Sequence, residues 1–227
     1  MNKLYKFFIV FFIIMFTFET KAHVEHYSDL KLIEFDIFRN NKNIGKHIFS
    51  FSKTNDILSV KSEISFEIKK LGVVLYTYNV KGTEYFKDGK LIEFNSKTQQ
   101  NGKKKHVKIK SDENELLIDG SSFKGKVPND YILGTWWNHS IVKAEAQISA
   151  VSGRIIKQKV TFIGKEDLKI GEKVYKTLHF NFSSTDQSLS KGKKLNTDVW
   201  YEEDTLHWVK ASFKKKGNWE YKLVTLQ

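Results

Sequence analysis

Apolar and polar side chains alternate along most of this 227-residue chain, and a period of two leaves little room for anything but β-strands. In Ile33-Glu34-Phe35-Asp36-Ile37 the apolar residues share one face and the acids the other. His47, Phe49 and Phe51 repeat the pattern, as do Ile64, Phe66 and Ile68. Such alternation marks antiparallel strands with one buried and one wet face. Asp88-Gly89, Asn101-Gly102 and Asp119-Gly120 offer the positive-φ positions of tight hairpins. Asn40 to Asn43, Thr54 to Asp56 and Lys216-Gly217-Asn218 are softer turn signals.

The alternation and its punctuation predict strands near 30–39, 44–53, 57–69, 73–86, 91–99, 104–111, 115–118, 154–164, 173–183, 196–202, 206–214 and 218–226. About a dozen short strands are too many for one flat sheet. The expected fold is all-β and mainly antiparallel, a curled meander or barrel-like sheet with one short helix. That helix comes from the one stretch that breaks the period. Trp137, Ile141, Ala144, Ile148 and Val151 recur at spacings of four, three, four and three, which is helical. With Asn138 as its cap and Gly153 after its last turn, the spacing predicts about three turns over 139–151. The helix is expected to lie across or plug the sheet and to join two halves of the meander.

The N-terminal residues differ in character. Lys3 and Lys6 precede an apolar run from Phe7 to Phe16, and Thr20-Lys21-Ala22 follows. A basic start, a short apolar core and small residues at −3 and −1 read as a secretory signal peptide over 1–22, cut at Ala22/His23. The run falls short of the roughly 20 residues of a membrane span. The mature chain, 23–227, is therefore expected to be periplasmic or secreted, with no membrane span. The chain has no cysteine and one proline, Pro128. The core must hold the fold without disulfides, and no linker divides it, so a single β domain and a monomer are expected.

The formal net charge is +12, with Arg39 and Arg154 the only arginines. Readers of nucleic acid lean on arginine for bidentate contacts, so this lysine bias reads as a solvated surface with no specific nucleic-acid partner. Lys104, His106, Lys108 and Lys110 alternate and should project together into solvent, leaving Val107 and Ile109 inward.

Two aromatic clusters are candidate binding residues. The first is Gly134-Thr135-Trp136-Trp137-Asn138-His139. Adjacent tryptophans in an extended segment point opposite ways, so one serves the core and the other is free to line a cavity or a stacking platform. The plainer reading is a hydrophobic staple at the helix start. The second cluster, Val199 to Glu202 with Leu206 to Val209, reads as a hairpin with aromatic residues on both sides of its turn, where cross-strand aromatic pairing is a sufficient structural role. Trp136, Trp137, Tyr201 and Trp208 are the candidate ligand-binding residues.

None of the seven histidines has metal-motif spacing. His23, as a new N-terminus, would offer copper an amine and an imidazole, but no residue pattern nominates a second histidine. No metal and no cofactor are expected. There is no nucleophile elbow, P-loop or dinucleotide fingerprint, and Glu84, Glu202 and Glu203 do not stand out as a glycosidase pair. No catalytic residue is assigned.

With these residues laid out, the chain resembles an exported bacterial family known as domain of unknown function number 6134. The likeness rests on Asn43-Ile44-Gly45-Lys46-His47, Glu84 to Leu91, Lys97 to Gly102, Trp137-Asn138, and Val199-Trp200-Tyr201 through Trp208-Val209, in order over essentially the whole mature chain. Tyr85-Phe86 stands where the family usually has a tryptophan after the glutamate. The resemblance implies an envelope β-protein and assigns no catalytic residue. The function expected first is a non-catalytic binding or carrier module for a small apolar or amphipathic ligand. The alternatives are an interaction protein that docks another envelope component, and an enzyme acting on glycan.

Overall fold

The computed structural model describes residue 27, residues 29–190 and residues 192–227. The signal-peptide reading, with His23, lies outside them. Among the described residues fifteen strands follow one another: β1 (Leu32–Arg39), β2 (Lys42–Thr54), β3 (Ile57–Lys70), β4 (Val73–Lys87), β5 (Lys90–Gln100), β6 (Lys103–Asp112), β7 (Glu115–Gly120), β8 (Lys124–Pro128), β9 (Ile132–Leu133), β10 (Ala146–Ile148), β11 (Ile155–Ile170), β12 (Lys173–Ser184), β13 (Asn196–Glu202), β14 (Trp208–Lys214) and β15 (Asn218–Leu226). A short 3-10 helix, His139–Lys143, lies between β9 and β10.

All fifteen strands form one sheet, ordered β8-β7-β6-β5-β4-β3-β2-β1-β15-β14-β13-β12-β11-β10-β9. Every pairing is antiparallel except β9 with β10. The two halves of the meander meet where β1 pairs with β15, Ile37 opposite Tyr221. The turn chemistry explains the register. Asp88-Gly89 and Asn101-Gly102 both have two residues at positive φ, as a two-residue hairpin of matching twist requires. Asp119-Gly120 behaves otherwise. Gly120 ends β7 without entering the positive-φ region, and the turn follows it, closed by Gly120 N–H donating to the Phe123 carbonyl at 2.9 Å.

The expected three-turn helix is corrected to a single 3-10 turn followed by strand β10. Asn138 does cap it, accepting from Ser140 N at 3.0 Å. The chain then turns extended at Ala144, because the Gln158 side-chain amide takes the carbonyls of Ile141 (3.1 Å) and Ala144 (2.9 Å). The helical spacing was a coincidence of burial: all three residues of β10 are buried, Gln147 included. Gly153 does adopt positive φ, but it closes the tight turn 149–153.

That turn also draws the sheet round on itself. Ser96 Oγ donates to the Ala150 carbonyl at 2.6 Å, and Ser122 N donates to the Ser152 carbonyl at 2.8 Å. The turn after β10 is thus hydrogen-bonded both to β5 and to the turn between β7 and β8. Inside lie two cores. The larger gathers Phe35, Phe49, Val60, Trp137, Tyr201 and Trp208 with their neighbours. The smaller, built by β5 to β8 with Leu133 and Ile148, holds Phe94, Val107, Ile109, Leu116 and Ile118.

Candidate functional site

The segment between β9 and β10 plugs the larger core and organises its polar groups. Trp137 N–H donates to the Thr135 carbonyl at 2.9 Å, closing a three-residue turn with Trp136 at φ +60. Such a conformation strains an aromatic residue by roughly 1–3 kcal/mol. Tyr201 holds it in place, its hydroxyl donating to the Trp136 carbonyl at 2.9 Å. This kink voids the either-or argument for an extended pair, and both tryptophans lie against the core.

Trp137 is fully buried and meets Tyr27, Phe51 and Phe86 edge-on at 5.2, 5.4 and 5.5 Å. Its indole Nε1 donates to Glu84 Oε1 at 2.9 Å. Glu84 is 1% exposed. Burial raises its carboxyl to about 7, while the hydrogen bonds of Trp137 and Thr135 pull it back down.

Trp136 reaches the other way, edge-on to Trp208 at 5.5 Å and to Tyr221 at 6.0 Å. Trp208 lies 3.9 Å from Phe35 and 6.0 Å from His47. His47 is buried, and its Nε2 shares a 2.9 Å hydrogen bond with Ser62 Oγ. Desolvation lowers its pKa to about 3, so the imidazole is neutral. His47 Nδ1, Trp136 Nε1 and Trp208 Nε1 are buried without a hydrogen-bond partner among the described residues.

Two cavities flank the plug. One, about 180 Å³, is lined by His47, Ser62, Phe94, Trp136, Gln147 and Val151 among others. The other, about 220 Å³, is lined by Glu84, Phe86, Tyr131, Leu133 and Asn138, with Glu113 and Asp130 also on its wall. Thr135 lines both.

Of the four aromatic residues nominated from the sequence, Trp137, Tyr201 and Trp208 are fully buried in the core, and Trp136 lines the smaller cavity. Tyr201 pairs with Trp208 across β13 and β14. Sequence reasoning passed over Ser62 and Gln147 and ranked His47 and Glu84 no higher than packed or solvated groups. Their signal was a polar residue standing in the apolar phase of a strand, Glu84 between Gly82 and Phe86, and Ser62 between Val60 and Ile64. Glu202 and Glu203 lie elsewhere, Glu202 accepting from Thr205 N at 2.9 Å and Glu203 paired with Lys165. Among the described residues no cluster of three or more His, Asp or Glu side chains is arranged to hold a metal ion. No helix among them is long and apolar enough to cross a membrane.

Residues 35–224 match the family described as Domain of unknown function (DUF6134). No curated protein matches the sequence. Among solved structures the chain is similar to a beta-barrel-like protein of Domain of Unknown Function DUF1849 from Brucella abortus. The likeness has a TM-score of 0.60 at 10% identity and covers 87% of this chain and 97% of that one. At that identity the likeness concerns the fold.

Proposed function

The chain belongs to the family described as Domain of unknown function (DUF6134), and from that premise we propose that it is an exported, non-catalytic binding module for a small amphipathic molecule. One observation carries this reading. The unpartnered ring nitrogens of His47 and Trp136 belong to residues that line the same 180 Å³ cavity. A buried polar group left unsatisfied costs about 1–3 kcal/mol, and folded proteins leave few of them. A ligand with one apolar body and one or two polar atoms would meet both needs of such a site. The size suits a single ring or short chain, since a dry cavity of about 150 Å³ accommodates benzene. Export rests on the basic, apolar and small-residue pattern of residues 1–22.

Native mass spectrometry of protein purified from its own host is the test. The expected spectrum shows a small bound mass, lost in Ala150→Leu, which fills the cavity from its wall. An unliganded spectrum for both proteins would remove the carrier reading.

A second reading follows from Glu84. A carboxyl raised to about 7, in a cavity that Glu113 and Asp130 also line, has the protonation state of a general acid. On this reading the protein cleaves a glycosidic bond, and Glu84→Gln abolishes turnover of an envelope glycan while leaving binding intact.

A further inference from the structure

The hairpin of β3 and β4 overreaches its neighbours. Pairing of β2 with β3 stops at Gly45 opposite Phe66, and pairing of β4 with β5 stops at Tyr78 opposite Gln100. Beyond these points β3 and β4 pair with each other from Glu67 opposite Thr77 to Lys70 opposite Val73, and at the base the Thr77 carbonyl also accepts from Asn101 N at 2.9 Å. At about 3.4 Å per residue the overhang is roughly 13 Å. Its base is anchored, because Tyr76 stacks on Phe66 at 6.0 Å. Its tip is bare: Leu71 is 96% exposed, Val73 61% and Leu75 54%. Soluble surfaces rarely gather large apolar side chains on a projecting tip without a use for them.

The chemistry around the tip names the use. Strands alternate in direction across the sheet, so the turns after β1, β3, β5, β7 and β14 and the β12–β13 connection all open at one end. That end is basic. Lys69 and Lys70 flank the tip, Lys103 to Lys105 follow the next hairpin turn, Lys214 to Lys216 form the turn before β15, and Arg39 and Lys42 bracket Asn40-Asn41. Acids there are few and mostly paired: Glu67 with Lys69 at 2.9 Å, Asp119 with Lys124 at 2.9 Å, Glu220 with Lys222 at 3.2 Å and Asp198 with His179 at 3.2 Å, besides Asp186. The opposite end carries more acid: Asp88, Glu113, Asp130, Glu172 and the Glu202-Glu203-Asp204 turn, with Asp56 and Asp112 paired to Lys87 and Lys126.

We propose that the basic end of the sheet docks on an anionic lipid surface, with the β3–β4 tip inserted among the headgroups. Apolar side chains ringed by lysine suit an interface that offers negative charge outside and hydrocarbon just beneath. A polynucleotide would reward the lysines and leave Leu71, Val73 and Leu75 in water. The surface is separate from the interior cavities, so it stands or falls apart from the ligand reading.

Co-sedimentation with vesicles tests it, comparing pure phosphatidylcholine with phosphatidylcholine containing about 30% phosphatidylglycerol, in about 150 mM salt where isolated exposed charges are screened. The full chain without its first 22 residues should bind the anionic vesicles and ignore the neutral ones. Leu71→Ser with Val73→Ser and Leu75→Ser should weaken that binding by about tenfold or more, since the apolar insertion is lost. These side chains are exposed, so folding is preserved, which circular dichroism checks. Lys69→Gln with Lys70→Gln, Lys103→Gln and Lys104→Gln should weaken it too. No binding to anionic vesicles, or binding that the serine variant keeps, overturns the proposal. So does selective, tight binding of oligonucleotides at the same salt, and so does a protein dimer that the serine variant splits while vesicle binding is absent.

Discussion

Trp137 Nε1 and Glu84 Oε1 share a 2.9 Å hydrogen bond inside the sheet, one from the plug between β9 and β10, the other from the inward face of β4. It ties the plug to the first half of the meander. A carboxyl with a folded pKa of about 7 against 4.5 unfolded is more protonated when folded. Its favourable contribution is present below about 4.5 and is lost as pH rises through 7. Two and a half units correspond to about 3 kcal/mol. Glu84→Gln, which keeps the shape and cannot ionise, should therefore gain about 3 kcal/mol relative to the native protein between pH 4 and pH 8. Urea unfolding at the two pH values measures this; a constant difference would mean that Glu84 titrates alike in the folded and the unfolded chain.

His47 should act with the opposite sign. Its folded pKa, about 3, lies below the ordinary 6.5 because burial opposes the imidazolium. The unfolded chain takes up the proton first, so stability from this group is complete above 6.5 and drains away as the pH falls toward 3. The full span is worth about 4–5 kcal/mol. Between pH 4.5 and 6.5 the slopes of His47 and Glu84 cancel, and below 4.5 His47 alone remains. His47→Phe should flatten the acid limb of the stability profile, provided the variant is compared by denaturant midpoint at constant slope. An unchanged acid limb would show that His47 is protonated in the fold.

Trp137→Ala should lose about 3–5 kcal/mol, the range for deleting a buried aromatic ring, and it would also strand Glu84. Trp137→Phe keeps a ring against Tyr27, Phe51 and Phe86 but loses the donor, so its loss should be nearer 1–3 kcal/mol. The phenylalanine variant should push Glu84 above 7, since the larger of the two hydrogen bonds that lower its pKa is gone. A carboxyl titration followed by infrared absorption would show the shift, and an unmoved band would assign the stabilisation to Thr135.

The antiparallel meander and most strand limits were legible because hairpin turns and alternation are local, whereas the pairing of β1 with β15 was not. The reading of 57–69 became Ile57–Lys70, and that of 218–226 is β15 itself. What failed was non-local. Residues 146–148 are all buried because the segment is enclosed on every side, and an all-buried strand carries no period of two to read. The same enclosure hid the site. Trp136 and Trp137 were visible as a cluster, but the kink that turns both inward depends on Tyr201, 65 residues later. The projection of Lys104, His106, Lys108 and Lys110 with Val107 and Ile109 inward is as alternation demands. The β8 strand was missed because its five residues, Lys124–Pro128, alternate too briefly to register.

Closure of the sheet depends on a glycine that sequence reasoning assigned to a hairpin turn. A Cβ on Gly120 would stand 2.7 Å from the Ser152 carbonyl oxygen and 2.9 Å from the Gly153 Cα, both backbone atoms of the turn that joins the two halves. Neither can move aside without loosening the Ser122 to Ser152 hydrogen bond. Gly120→Ala should therefore destabilise by about 1–3 kcal/mol, as overpacking does. Gly192→Ala, where the new methyl meets nothing within 4 Å, should stay within about 0.5 kcal/mol of the native protein. The loss at Gly120 should be local before it is global. Amide exchange in β7 and in the turn 149–153 should rise first, while β1 and β15 at the middle of the sheet remain protected. Uniform acceleration across all strands would instead mean that the turn and the ladder open as one unit.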